Sequence, residues 1–219
     1  MAELGKIEKP EAGSFKENRK LFVVPTLPFE ELALEMDIDN AKVERFWGEV
    51  REKIEYFRST YGNISELYIE GINEHEGKGI EFLENLGKES NHYKLIKTMI
   101  DSGARLKVID KADYLRQGKL LFDEYSKSFS PEIMELHKGF YGKEIDFEKW
   151  REYLVKKLQE VQDEIGKHAT GIIGELPENT SGVLIFTDGR PLEYPPGIDV
   201  FQIRPPAFDE LAKLLRDKV

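Results

Sequence analysis

Leu21-Phe22-Val23-Val24 and Val183-Leu184-Ile185-Phe186 are unbroken apolar runs, bounded by Pro25 and by the turn pair Asp188-Gly189. A strand with no polar side chain on either face has to be covered on both, which is the condition of a central strand in a parallel sheet. The apolar run at 67–69 extends the series, and 104–109 reads as a further strand. Between them the apolar spacing changes to three and four: Val43, Phe46, Trp47, Val50, Ile54 and Phe57 share one helical stripe after Asn40, and Tyr61-Gly62-Asn63 closes it. Further helical patterns cover 80–86 and 93–100, the second ended by Ser102-Gly103. Strand and helix alternate. The expected class is therefore α/β, a mostly parallel central sheet of about five strands flanked by helices.

Residues 1–20 are polar, hold Gly5, Pro10 and Gly13, and read as a flexible arm before a single domain over 21–219. Residues 28–40 form either a short helix or a covering loop. After Asp110 the pattern is helical over 112–125, again from Pro131, and a third time through Phe147, Trp150, Leu154, Leu158, Val161 and Ile165. Gly139 and Gly142 separate the last two, and the block 112–168 is expected to be a helical insert. The glycine-punctuated stretch 166–182 is expected to be a loop, with an irregular turn at 170–176. An edge strand at 198–203 and a helix at 206–218 complete the chain.

Composition narrows the chemistry. There is no cysteine, which removes disulfides, thiolate metal sites and thiol nucleophiles. A net charge of −10 with no basic cluster argues against nucleic acid as a partner. No apolar run is long enough for a membrane span, and the first residues lack a signal peptide's apolar stretch, so a cytoplasmic location is expected. A charged fraction of 34% points to ion-pair networks of the kind found in heat-adapted proteins.

In parallel sheets ligands bind beyond the carboxyl ends of the strands. There the sequence places Thr26 after the first strand, Glu70 and Asn73 after the second, Asp110 after the third, and Asp188 with Arg190 after the fourth. Carboxylates gathered at one rim can divide acid and base roles or surround a cation, so Glu70, Asp110 and Asp188 are the candidate catalytic residues. Thr26, Asn73, Arg190 and Tyr194 are the candidate ligand contacts. Asp110 has a rival reading as the N-cap of the next helix. A divalent cation is a possible cofactor, although no residue is assigned as its ligand: Glu74-His75-Glu76 are adjacent loop residues that do not close a coordination shell, and His92, His137 and His168 lack a second ligand at helical spacing. Gly77-Lys78-Gly79 precedes a helical pattern but matches neither phosphate-binding spacing, and no Gly-x-Ser-x-Gly elbow occurs.

Several of these pieces resemble the TraB-like and ChaN-like α/β proteins, related in outline to the erythromycin esterase type. They are Val24-Pro25-Thr26, Tyr68-Ile69-Glu70-Gly71, Ser90-Asn91-His92-Tyr93, Gly103-Ala104-Arg105-Leu106, the long helix before a glycine-rich turn, and the last buried strand with its loop. The resemblance spans about residues 21–204 and implies histidines after the first and last of these strands, facing the acidic strand end. Here those places hold Pro25-Thr26-Leu27-Pro28 and Thr187-Asp188-Gly189, so histidine-dependent chemistry or haem ligation is not expected. Two functions remain. One is a binding or regulatory scaffold with a small-molecule ligand, or a homo-oligomer formed through the insert around Leu120, Leu121, Phe122 and Tyr125. The other is a carboxylate-based hydrolase, assisted by a divalent cation, with Glu70 as base or ligand.

Overall fold

The computed structural model describes residues 18–26, 39–73, 87–135 and 146–218. The chain runs β1 (Arg19–Thr26), α1 (Asn40–Tyr61), β2 (Ile64–Asn73), α2 (Asn91–Asp101), β3 (Arg105–Asp110), α3 (Ala112–Lys127), α4 (Phe147–Gly174), β4 (Ser181–Thr187), β5 (Ile198–Gln202) and α5 (Pro206–Lys218). Residues 131–135 are also helical. The strands form one sheet in the order β3-β2-β4-β1-β5, and every pairing is parallel. The α/β class holds, with the fifth strand at an edge.

Side-chain alternation along the strands divides the core in two. Phe22, Val24, Leu67, Ile69, Val183 and Ile185 face α1, α2 and α5, whereas Leu21, Val23, Tyr68, Leu184 and Phe186 face α4 through Ala169 and Ile173. Burying a side chain such as Phe46 or Ile54 completely stabilises the fold by about 2 kcal/mol. α1 is capped by Asp39, whose side chain accepts from Ala41 N–H at 2.9 Å, one residue before the Asn40 from which the stripe was counted. α3 has no fully buried residue and lies outside α4, its Gly118 close against Val161.

Two expectations fail for identifiable reasons. Pro25 does not stop the first strand: β1 continues through it, with Pro25 opposite Phe186 and Thr26 opposite Thr187. Val23 C=O accepts from Ile203 N–H on the β5 side at 2.7 Å, so the missing N–H of Pro25, two residues on, falls on that same side, past the last β1–β5 pair at Val23 and Gln202. The first strand also starts earlier than expected, taking Arg19 and Lys20 from the proposed arm.

The second failure is the loop expected over 166–182. α4 runs unbroken through Gly166 and Gly171 to Gly174, a helix of 28 residues. A Cβ on Gly166 would stand 2.5 Å from the carbonyl oxygen of Pro191, and one on Gly174 would touch the Pro195 ring at 3.6 Å. These glycines do not break the helix. They let the segment between β4 and β5 lie directly on it. The helical pattern at 80–86 and most of the arm fall outside the described residues.

Candidate functional site

Three adjacent strands bring their ends together at one point. Glu70 is on β2, Asp110 is the last residue of β3, and Arg190 follows β4 in the segment that α4 holds down. Arg190 Nη1 lies 2.5 Å from Glu70 Oε1 and Nη2 lies 2.6 Å from Asp110 Oδ1, so a single guanidinium spans both carboxylates. The other oxygens are also bound: Glu70 Oε2 accepts the N–H of Thr187 on β4, and Asp110 Oδ2 accepts the N–H of Gly71 at 2.7 Å. Charge-assisted bonds of this kind are about twice as strong as neutral ones.

Gly71 is what makes the second bond available. Its φ of 86° lies in the left-handed region, and the β2–β3 register shifts between Ile69 and Asn73. The bulge turns the Gly71 N–H toward the Asp110 carboxylate. Asp110 thus does not act as an N-cap; Lys111 occupies that position of α3 and makes no side-chain cap bond.

Of the three acids expected at one rim, Arg190 joins Glu70 and Asp110, while Asp188 lines the same strand-end pocket as Glu70 without joining that pair. The Asp188 carboxylate instead pairs with Arg204 at 3.6 Å, while its N–H donates to Thr26 C=O at 2.7 Å. Side-chain exposure is 0% for Asp110, 12% for Arg190 and 25% for Glu70, so only the last two can meet a ligand. Thr26 lies across β4 from this cluster. Asn73 stands opposite Asp110 in the strand register, and its side chain is outside the described residues. Tyr194 packs on the α4 side of the sheet with Ile198 and Val200, accepts from Gln202 Nε2 at 3.3 Å, and has its hydroxyl pushed up in pKa by burial. His92 stacks flat on Trp47 at 3.8 Å, beneath the opposite face of the sheet. Residues 74–79 and His137 lie outside the described residues.

Glu70 and Arg190 form the floor of a pocket of about 510 Å³. Its walls are Leu115, Gly118 and Phe122 from α3, Leu158, Val161 and Ile165 from α4, and the residues 187–191 after β4. Tyr114, Lys119 and Gln162 also border it. A cavity of this size, with apolar walls and few polar groups, suits a small organic molecule. The sequence marked these wall residues as helix stripes only. What it did not reveal is that these two stripes meet the residues after β4 around one cavity; the single hint was Gly118, a small residue inside a helix, which lies close to Val161 of α4. Among the described residues no group of three or more His, Asp or Glu side chains is arranged to hold a metal ion. Comparison with known protein families, curated proteins and solved structures found no match to this chain.

A second polar pair lies on the same face of β2. Glu66 is buried and pairs with Arg105, its register partner on β3. Between the two sites is Tyr68, whose hydroxyl is buried without a hydrogen-bond partner among the described residues. Burial first, and then the nearby Glu66 carboxylate, push its pKa well above the ordinary tyrosine value.

Proposed function

We propose that this chain is a small-molecule binding protein, using the pocket between α3, α4 and the end of β4. The observation that carries this reading is the commitment of Arg190 to both strand-end carboxylates. A paired acid and base, or a metal ion held by several carboxylates, needs more than one carboxylate open to the substrate, and of these two Asp110 is fully buried and only Glu70 is partly exposed. The floor is a rigid, hydrogen-bonded surface, and the apolar walls supply contact area. On the TraB-like or ChaN-like reading, the places where those relatives carry histidine hold Thr26 and Asp188, and the cation at the acidic strand end is the Arg190 guanidinium.

Thermal melting with drug-sized apolar probes tests this. A ligand that fills the pocket raises the melting temperature by mass action, and Leu158→Trp, which fills it from the wall, abolishes the rise. Millimolar magnesium or manganese is expected to leave the melting temperature unchanged. A metal-dependent rise that disappears in Asp110→Asn favours the hydrolase instead.

Self-association is a second reading with its own observation. Six large apolar side chains, Leu120, Phe122, Phe129, Trp150, Tyr153 and Val155, are exposed on or beside α3 and α4, and Tyr56 is the one other exposed large hydrophobic among the described residues. Trp150 and Tyr153 stack with ring centroids 5.4 Å apart. Concentrated apolar surface of this kind marks a contact face. Light scattering across a concentration series should show a dimer that Trp150→Lys with Tyr153→Lys dissociates; a monomer throughout removes this reading.

A further inference from the structure

We infer that the ligand of this pocket is an amphipathic cation, an ammonium head on an apolar body, with the head on Glu70. The inference rests on the pocket being a binding site and goes on to the sign of its charge. Two carboxylates against one guanidinium leave the floor with a formal charge of −1. Of the two floor residues Glu70 is the more exposed, 25% against 12% for Arg190, so a ligand head reaches the carboxylate more readily than the guanidinium. Both Nη atoms of Arg190 already face a carboxylate, so an anionic head would have to displace one of them and would meet Glu70 first.

The other charges at the rim do not reverse this. Asp188 shares Arg204 with Asp209, which adds no net positive charge there, and Lys119 is exposed to water on α3, where screening weakens its field. Phe122 adds a ring at the mouth, and its face attracts cations. The Tyr114 ring is already occupied by Lys111 Nζ at 5.6 Å. An ammonium desolvated by Leu115, Leu158 and Val161 gains more from a carboxylate than it does in water, and an uncharged head of equal size gains less.

Calorimetry on the full chain with octylammonium, 1-octanol and octanoate tests this at constant tail length. The ammonium is expected to bind at least about tenfold more tightly than the alcohol, a difference of ~1.4 kcal/mol, and octanoate more weakly than either. Glu70→Gln should bring ammonium affinity down to that of the alcohol, and Leu158→Trp should abolish binding of all three. If the alcohol or octanoate binds as tightly as the ammonium, and Leu158→Trp still abolishes it, the charge inference falls and the pocket stands. If none of the probes shows binding sensitive to Leu158→Trp, both fall. Should Glu70→Gln fail to fold, the three-probe comparison on the unaltered chain decides.

Discussion

β2 carries two carboxylates on one face, Glu66 and Glu70, and each meets an arginine, but the pairs are built differently. At Glu70 the arginine is 12% exposed, shared with a second buried acid, and backed by two backbone N–H groups. At Glu66 the arginine is 66% exposed, and one carboxylate oxygen is buried without a partner among the described residues. The first pair connects three strands and the floor of a cavity, whereas the second ties β2 to β3 at the rim of the sheet. A salt bridge on a strand therefore reports little about function by itself; how many of its lone pairs are used, and what lies above it, separates the two.

Arg190→Met should separate the two pairs most strongly. It leaves Asp110 buried with no counter-charge, and urea denaturation should show a loss of roughly 3–5 kcal/mol. Adding Asp110→Asn should restore at least half of it, because the stranded charge is then gone. A loss below about 1 kcal/mol would mean that the two sites are equivalent after all.

Next in size is Gly166→Ala. The new Cβ meets the Pro191 carbonyl that positions the Arg190 segment, so the loss should be about 1–3 kcal/mol and pocket ligands should bind more weakly. Gly171→Ala on the same helix meets nothing within 4 Å and should be neutral or slightly stabilising. Equal effects would show that the segment does not depend on that close approach.

Arg105→Ala tests the looser pair. It leaves the buried Glu66 carboxylate without its counter-charge, but water that already reaches the guanidinium can take its place, so a loss of roughly 1–2 kcal/mol is expected and ligand affinity should not change. The smallest effect belongs to Tyr68→Phe, which removes a buried hydroxyl that has no partner among the described residues and should be neutral or stabilising by about 1 kcal/mol. It also has a pH signature. The folded pKa of Tyr68 is raised, so the unfolded chain loses its proton first; the stability contribution is intact below about pH 10 and declines as pH rises beyond it. Melting temperatures between neutral pH and pH 11 should fall less steeply in the phenylalanine variant.

Much of the fold was legible in the sequence because its signals are local. Three apolar runs and the stripe from Val43 to Ile54 report burial on two faces and on one, and burial alone places them in a covered parallel sheet. The errors came where a residue has one local meaning and another in context. Pro25 reads as a stop, yet sits in a strand because the missing N–H lies where β5 has ended. Gly166 reads as a breaker, yet lies in a helix because another segment needs the room. The site was half legible for the same reason. Glu70 and Asp110 were named from their strand ends, and burying Glu70 demands a partner; nothing local says that Arg190 is the partner or that Asp188 turns to Arg204.

By itself the sequence determined the class of the protein and the rim at which a ligand is to be sought, since strand burial and helix periodicity are properties of short stretches. Only the tertiary structure decided the chemistry of that rim. Strand order puts β4 beside β2, and thereby an arginine between two carboxylates about 80 and 120 residues away along the chain, turning an acidic cluster into a hydrogen-bonded floor that one guanidinium only half neutralises. Electrostatic partners are chosen by distance in space, and spacing along the chain does not encode it.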